Sequence, residues 1–269
     1  MERISSVQNP KVKRAVRLMS SARARREEGA FVLEGLRLCL DVPRSGLTAE
    51  TVFLTDEIMA RHGDELEPLL ACAEEAFLVP DHVAERLSDT RNPQGVFCVC
   101  PSLDKQTGRN KMKQMDAEGK YLLLENVQDP ANLGAISRTA EALGLTGLYV
   151  SGGCDVTGPK ALRASMGALL RIPVLVTDDV TETIQQAEKS GIKTFASTPD
   201  KTALPIASAD FRGGVLIVVG NEANGVTEET LACCQTRITI PMSGRAESLN
   251  AGAAASILMW EMVRPYETS

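Results

Sequence analysis

Three loops in the second half of the chain contain polar side chains whose types could do chemistry. The first supplies Asn132 and Arg138, the second supplies Glu222, and the third supplies Asn250. An amide, a guanidinium and a carboxylate can together bind, orient and stabilise negative charge on a reacting oxygen. Both histidines of the chain precede residue 83, so these loops contain no histidine that could act as a base.

Each loop, taken alone, also has a purely structural interpretation. Residues 125–144 fit a capped amphipathic helix, with Asn132 as the cap and Arg138 off the apolar stripe. Residues 218–229 fit a simple glycine-lined turn, and residues 238–261 fit a tightly packed helix of small residues.

The second loop lacks the signatures of two common nucleotide sites. Gly220 and Gly225 have the spacing of a phosphate loop, but Val226 and Thr227 follow, so the lysine that the motif needs before Ser or Thr is missing and a nucleoside-triphosphate site is rejected. No G-x-G-x-x-G follows a predicted strand, so a dinucleotide-binding dehydrogenase is also unsupported.

The elements around these loops alternate between short apolar runs and helical patterns, which is typical of an α/β domain. Continuous apolar runs such as VLIVV predict strands buried on both faces and therefore a mostly parallel sheet. Ligands of such sheets bind beyond the carboxyl ends of the strands, where these loops begin. We predict strands at 121–125, 147–150, 173–176, 194–196, 215–219 and 237–240, and helices at 132–143, 159–168, 179–190 and 248–263.

The first half predicts a second, smaller α/β domain. A basic helix over 9–28 is favoured by Asn9 as its cap and Pro10 in its first turn. The polar stretch 101–120 lacks apolar periodicity, and we interpret it as a linker. The predicted organisation is a domain at 1–102, a linker at 103–119 and a domain at 120–269. Further predicted strands are 31–33, 51–55, 76–79 and 96–100, and further helices are 34–41, 56–72 and 80–88.

Charge is distributed unevenly along the 269 residues. The net charge of −6 discourages a nucleic-acid partner, but residues 1–26 alone carry eight basic side chains and one acid. This segment fits either a solvated face or a surface for an anionic partner such as RNA. Its candidate RNA-binding residues are Lys11, Lys13, Arg14, Arg17, Arg23, Arg25 and Arg26.

The seven cysteines include no Cys-x-x-Cys pair, and no apolar leader follows the polar N-terminus. We therefore expect reduced thiols and a cytoplasmic location, with no membrane partner. The chain has only two histidines, His62 and His82, and no metal site is predicted.

Together and in this order, the three loops resemble the motifs of the SpoU/TrmH family of RNA ribose methyltransferases, within the SPOUT superfamily. NVQDPANLGAISRTAEALG is similar to the first motif, IVVGNEANGV to the second, and ITIPMSGRAESLNAGAAASILMWE to the third. The resemblance covers residues 120–265. ISSVQNPKVKRAVRL and GAFVLEGLRL also resemble the opening of a subgroup with a ribosomal-protein-like RNA-binding domain.

The resemblance implies a small α/β RNA-binding domain followed by an α/β domain tied in a deep trefoil knot, and a homodimer formed through the knot domain. It implies that S-adenosylmethionine binds in the knot, held largely by backbone groups. The implied cofactor-binding residues are Gly220, Asn221, Ile240, Met242, Ser248 and Leu249.

The implied reaction is methyl transfer to a ribose 2′-hydroxyl, with Asn132, Arg138, Glu222 and Asn250 as catalytic residues. Arginine keeps its proton in proteins, so a guanidinium that stabilises an alkoxide is favoured over a literal base. We expect Glu222 to orient Arg138 or another donor.

One position departs from the family pattern. Ala223 stands where the second motif usually has glycine, and it would be strained if this position needs a positive φ. The subgroup favours large-subunit ribosomal RNA as substrate. Transfer RNA, or a non-catalytic RNA-binding protein with a degenerate second domain, are the alternatives.

Overall fold

A computed structural model of the chain describes residues 1–103 and 115–264. The chain divides into two compact units. Unit 1 contains residues 1–106 and 155–171, and unit 2 contains residues 107–154 and 172–269.

In unit 1, helices surround a mixed sheet whose described strands follow the order β1-β4-β3-β5-β2. The strands β1, β3 and β4 run parallel, while β5 runs antiparallel to β2 and β3. The carboxyl ends of β2 and β3 therefore meet at one edge of the sheet. The elements are β1 (Glu2–Arg3), α1 (Pro10–Ser20), α2 (Ala22–Glu28), β2 (Ala30–Glu34), α3 (Leu36–Arg44), β3 (Ala49–Leu54), α4 (Asp56–Ala71), β4 (Ala73–Leu78), α5 (Asp81–Leu87), β5 (Val96–Pro101), and then α7 (Pro159–Ala164) and α8 (Ala168–Arg171).

The predicted basic helix is two helices rather than one. The Asn9 side chain accepts from the Lys11 N–H and caps α1, as predicted. Ser21 then takes an extended conformation, and its side chain accepts from the Ala24 N–H to start α2. A serine that competes for backbone hydrogen bonds breaks a helix at such a position.

Residues 155–171 pack in unit 1, although the sequence predicts them as part of the second domain. The Arg25 guanidinium lies 2.7 Å from the Asp155 carboxylate, and Arg171 Nη1 lies 2.7 Å from Asp41. The predicted helix over 159–168 is interrupted at Gly167, whose φ is +87°. A Cβ there would meet the Asp41 carboxylate at 2.0 Å, so glycine permits this close approach.

Replacing Arg25 should destabilise unit 1 strongly. Its side chain is only 7% exposed, and it also donates to the carbonyl of Met19 at 3.1 Å. Arg25→Met leaves Asp155 without its cation, so we expect a loss of about 3 kcal/mol of unfolding free energy. Chemical denaturation measures this loss. Arg23→Met is the matched control, since its exposed pair with Glu27 should contribute less than about 0.5 kcal/mol.

Unit 2 is built on a sheet in which every described strand pair is parallel, as predicted. Its strand order is β10-β12-β9-β11-β6-β7-β8. The side chains of β6 and β11 are almost all buried, since helices cover both faces of such a sheet. The elements are β6 (Lys120–Glu125), α6 (Pro130–Ala142), β7 (Gly147–Ser151), β8 (Val174–Val176), α9 (Val180–Lys189), β9 (Lys193–Ser197), β10 (Leu204–Pro205), β11 (Val215–Val219), α10 (Glu228–Cys233), β12 (Thr236–Thr239) and α11 (Ala251–Val263).

Two helices of unit 2 begin at residues that differ from the predicted ones. Asp129, rather than Asn132, caps α6, and its carboxylate accepts from the Ala131 N–H at 2.8 Å. Asn250 caps α11, so Ser248 and Leu249 precede the helix instead of opening it. Both differences matter for the site, because they leave Asn132 and the 248–249 backbone available for other contacts.

The sequence did not predict the short elements β1, β10 and α10. Most of the predicted linker, residues 104–114, lies outside the described residues. Leu103 and Met115, at its two borders, are buried. In the part of the chain that the structure describes, no helix is both long enough and apolar enough to cross a bilayer.

Candidate active site

A cavity of about 240 Å³ lies in unit 2 at the carboxyl edge of the parallel sheet. The segments after β9, β11 and β12 form its walls, together with the start of α11. Its lining includes all six predicted cofactor-binding residues: Gly220, Asn221, Ile240, Met242, Ser248 and Leu249.

Three residues of the segment from Met242 to Leu249 line this cavity: Met242, Ser248 and Leu249. Within residues 1–103 and 115–264, none of the segment's N–H or C=O groups takes part in a hydrogen bond. Free backbone donors and acceptors beside apolar side chains such as Leu249 and Leu258 suit a ligand with an aromatic base and a polar chain.

Gly220 makes the tightest backbone approach in the cavity wall. A Cβ on this residue would lie 2.1 Å from the carbonyl carbon of Gly225 and 2.2 Å from the Val226 nitrogen. Asn221 and Gly225 hold this turn closed by two backbone hydrogen bonds of 3.0 and 2.9 Å. The close approach therefore requires glycine at position 220.

Asn221 also joins the Gly220–Gly225 turn to the first loop by a hydrogen bond. Its amide donates to the Asn126 carbonyl at 2.8 Å, while its side-chain oxygen accepts from the N–H groups of Ala223 and Asn224. Among the described residues, only Asn126 and Met166 combine a side chain with a positive φ. Ala223 is thus unstrained, and the absence of the family's glycine costs this turn nothing.

A row of hydrogen bonds joins the three predicted loops. The Asn132 amide donates to Glu222 Oε1 at 2.9 Å, and the Asn250 amide donates to Asn132 Oδ1 at 3.0 Å. Asn250 Oδ1 in turn accepts from the N–H groups of Gly252 and Ala253 at the start of α11. Three predicted catalytic residues are therefore brought together, and each amide is held in one orientation.

Glu222 serves as a hydrogen-bond acceptor that holds this row in place, rather than as a base that takes up a proton. Its burial favours the neutral form, but hydrogen bonds from the Asn132 amide and from the Gln128 and Asp129 N–H groups outweigh this effect. They hold the pKa of Glu222 below its ordinary value. A carboxylate that stays ionised accepts hydrogen bonds well but is a weak base.

The contribution of Glu222 to stability should depend on pH. Because its pKa is lowered in the folded state, its stabilisation is present above a pH of about 4.5 and is lost as pH falls further. We expect the thermal midpoint of Glu222→Gln to lie below that of the native chain at neutral pH. Melting curves across the acidic range should show this gap closing, and a gap that widens on acidification would contradict the assignment.

Arg138 lies apart from the hydrogen-bonded row. Its side chain is exposed on α6, and it makes no hydrogen bond or ion pair with any described residue. We expected Glu222 to orient Arg138 or another donor, and the structure shows the second alternative: the Glu222 carboxylate accepts from the Asn132 amide and from two backbone N–H groups. Arg138 remains a free guanidinium.

Carboxylates of unit 1 pair with most of the predicted RNA-binding residues. Arg14 bonds Glu28 and Glu50, and Lys11 pairs with Glu75. Arg17 and Arg23 also form ion pairs, with Glu28 and Glu27. Arg25 is buried against Asp155, which removes it from any exposed RNA-binding set. Lys13 and Arg26 are exposed and make no ion pair with a described residue.

Glu125 was not among the predicted site residues, although it holds the segment that follows the Gly220–Gly225 turn of the cavity wall. This carboxylate is only 4% exposed and accepts from the Thr227 N–H, the Thr227 hydroxyl and the Thr230 hydroxyl. Glu125 could have been found from its position as the last residue of β6, directly before the first predicted site loop. The segment 197–199 after β9 also lines the cavity and was missed.

No group of three or more His, Cys, Asp or Glu side chains that could hold a metal ion occurs in the described parts of the chain.

A parallel α/β sheet with a cavity at its carboxyl edge, bordered by a polar row, is typical of the ligand-binding site of an α/β domain. The chain matches the SpoU rRNA Methylase family over residues 119–260 and the MRM3-like substrate binding domain over residues 9–98. It therefore belongs to the SpoU rRNA methylase family.

Individual relatives extend over the whole chain. It is 28% identical to the 23S rRNA (guanosine(2553)-2'-O)-methyltransferase RlmP of Bacillus subtilis, covering 97% of this chain and 99% of that one. The crystal structure of an AdoMet-bound rRNA methyltransferase from Sinorhizobium meliloti matches with a TM-score of 0.83 and 26% identity, covering 97% of each chain. AviRb of Streptomyces viridochromogenes, in complex with AdoMet, matches with a TM-score of 0.81 and 25% identity over 95% of this chain and 97% of that one.

The protein is an S-adenosylmethionine-dependent RNA methyltransferase, and its second unit is a SPOUT domain. The cavity suits this cofactor, because Ile240, Leu249 and Leu258 offer apolar contacts, and the backbone groups of Met242, Ser248 and Leu249 make no hydrogen bond within the described residues. Glu222 is the one charged residue among the described residues that line the cavity, so a cofactor with a positive charge would meet a single carboxylate there.

Proposed function

We propose that the protein transfers a methyl group from S-adenosylmethionine to a ribose 2′-hydroxyl in large-subunit ribosomal RNA. The observation that carries this proposal is the hydrogen-bonded row of Glu222, Asn132 and Asn250 beside the cofactor cavity. The name of the Bacillus subtilis relative, a 23S rRNA 2'-O-methyltransferase, supports the same reaction.

The chain's own residues have distinct roles in this proposal. The bound cofactor would supply an electrophilic methyl group and leave as S-adenosylhomocysteine, while the proton of the ribose hydroxyl passes to solvent water. Asn132 and Asn250, held by Glu222 and the start of α11, position the ribose hydroxyl. The free guanidinium of Arg138 binds an RNA phosphate and stabilises the negative charge that develops on the ribose oxygen. Correct orientation of hydroxyl and methyl supplies much of the rate enhancement.

A thermal shift measurement with S-adenosylmethionine tests the cofactor part of the proposal. Binding to the folded state raises the unfolding midpoint in proportion to the logarithm of ligand concentration over Kd. An unfolding midpoint that rises with the concentration of S-adenosylmethionine supports the proposed methyltransferase. An unchanged midpoint would favour the alternative of a non-catalytic RNA-binding protein. Transfer RNA is the alternative substrate, and a tRNA/rRNA methyltransferase of Synechocystis is 29% identical over 262 residues.

We also propose that the protein forms a homodimer through α11. Ala253, Ile257 and Trp260 are spaced by four and three residues, so they follow one face of this helix. Trp260 is 54% exposed and Ile257 is 39% exposed, which is unfavourable for large apolar side chains in a monomer. A second copy of the same face would cover them. The trefoil knot implied by the family resemblance stays a prediction.

Trp260→Glu should therefore convert a dimer to a monomer. The buried carboxylate would oppose its twin across a symmetric interface, which costs several kcal/mol. Light scattering coupled to size exclusion measures the mass. Leu204→Glu is the control, since Leu204 is an exposed apolar residue on β10, 38% accessible. Equal masses for the native chain and Trp260→Glu would contradict this interface.

A further inference from the structure

If the substrate is RNA, as proposed above, unit 1 needs a surface with cations that can bind its phosphates. The obvious candidate, the basic segment on α1 and α2, is largely neutralised by Glu27, Glu28, Glu50 and Glu75. Phosphate binding releases counterions from RNA only when the protein supplies cations that are not already paired. Only Lys13 and Arg26 of this segment make no ion pair with a described residue, so the free cations elsewhere on unit 1 are the stronger candidates for phosphate binding.

Two free arginines lie at the edge of the sheet where β2 and β3 end. Arg37 is in the first turn of α3, and Arg91 is in the loop between α5 and β5. Both are exposed, and neither forms a hydrogen bond or ion pair with any described residue. We call this pair the arginine rim.

Buried Glu34 fixes the loop that carries Arg91. Glu34 is only 6% exposed, and it accepts from the hydroxyls of Ser88 and Thr90 and from the Asp89 N–H. The segment immediately before Arg91 is thus tied to the end of β2. A cation on a fixed loop loses less conformational entropy on binding than one on a free loop.

The far end of the same loop is tied to the start of α3. Gln94 Oε1 accepts from the Leu36 N–H at 3.2 Å, next to Arg37. Gly35 has a φ of +102°, and a Cβ there would lie 2.7 Å from Gln94 Oε1. These contacts hold the two chain segments that carry Arg37 and Arg91 against each other.

A cleft of about 480 Å³ opens beside the rim. Leu36, Ile58, Pro93 and Gln94 line part of it. Three carboxylates, those of Glu57, Asp81 and Glu85, also line it, while its one arginine, Arg61, is paired with Glu57 at 2.8 Å. The interior therefore repels phosphate but offers acceptors for the amino and imino groups of a nucleobase.

We propose that the arginine rim binds the phosphates of an RNA loop while an unpaired base enters the cleft. Proteins commonly recognise single-stranded RNA by accepting splayed bases into pockets and contacting the flanking phosphates. A base in a duplex has its amino and imino edge already paired, so the cleft would discriminate against double-stranded RNA.

A binding experiment with two matched double variants of the full chain tests the rim. Fluorescence anisotropy measures the affinity of a labelled RNA hairpin with an unpaired loop over a range of salt concentrations. Arg37→Glu with Arg91→Glu should weaken binding by at least about tenfold and flatten the salt slope by about 1.4. Lys13→Glu with Arg26→Glu makes the same charge change on free cations of α1 and α2, and it should change the affinity by no more than about twofold.

Three outcomes would overturn the proposal. The first is an equal loss of RNA affinity in the two double variants. The second is a larger loss of RNA affinity in Lys13→Glu with Arg26→Glu, and the third is no loss of RNA affinity in either. A blunt RNA duplex of the same length should compete poorly with the hairpin, and equal competition would exclude base insertion. The S-adenosylmethionine thermal shift should persist in every variant. Its absence from the native chain would instead be a failure of the proposed methyltransferase function.

Discussion

Arg138→Ala should abolish methyl transfer while leaving the affinity for S-adenosylmethionine almost unchanged. The Arg138 side chain is exposed, makes no ion pair with a described residue and is absent from the lining of the cofactor cavity. Removing one group that stabilises a developing oxyanion typically lowers kcat by about 10²–10³-fold. Single-turnover transfer of a labelled methyl group to RNA measures this loss, and calorimetry measures the cofactor affinity.

Arg138→Lys separates charge from geometry in the same experiment. Lysine keeps the positive charge but lacks the planar fork that binds phosphate through two parallel hydrogen bonds. We expect activity between those of the native chain and Arg138→Ala. If Arg138→Ala loses cofactor affinity as completely as activity, the guanidinium holds the cofactor site and its proposed role is wrong.

Gly220→Ala should weaken cofactor binding strongly. The added Cβ would overlap the Gly225 carbonyl group and the Val226 nitrogen, so the turn that forms the cavity wall must open. We expect at least about a tenfold loss of S-adenosylmethionine affinity, which corresponds to about 1.4 kcal/mol. Calorimetric titration measures it.

Gly244→Ala is the matched control for this variant. Gly244 lies in the neighbouring segment between β12 and α11, and a Cβ there has no heavy atom within 4 Å. The control should bind cofactor as the native chain does. Circular dichroism checks that both variants fold. A folded Gly220→Ala with native affinity would show that the close approach is not needed for binding.

The regular elements and the site loops could be predicted because hydrophobic periodicity is a local signal. The run VLIVV predicted the buried strand β11, and a parallel sheet necessarily brings the loops after β6, β11 and β12 to one edge. The six cofactor-binding residues implied by the family resemblance line one cavity for this reason.

The cap of α6 and the ion pairs of the basic segment could not be predicted, because several nearby residues are equally suitable partners and only the folded structure selects one of them. Asp129 and Asn132 are both good helix caps. Asp129 caps α6, and the Asn132 amide instead donates to Glu222, which is 90 residues away in the sequence. The composition of the basic segment predicted exposed positive side chains. Arg14 and Arg17, however, form ion pairs with Glu28 and Glu50, which the folded chain brings close to them. The packing of residues 155–171 in unit 1 is also a tertiary effect, fixed by Arg25 and Asp41.

Analysis of the methylated nucleosides tests the central claim most directly. The protein is incubated with S-adenosylmethionine and large-subunit ribosomal RNA that lacks its natural modifications, and the RNA is digested to nucleosides for mass spectrometry. We predict a 2′-O-methylated nucleoside whose fragmentation places the methyl group on the ribose, and its loss in Arg138→Ala. A methyl group on the base, or no methylated nucleoside in any RNA tested while the cofactor binds, would contradict the account.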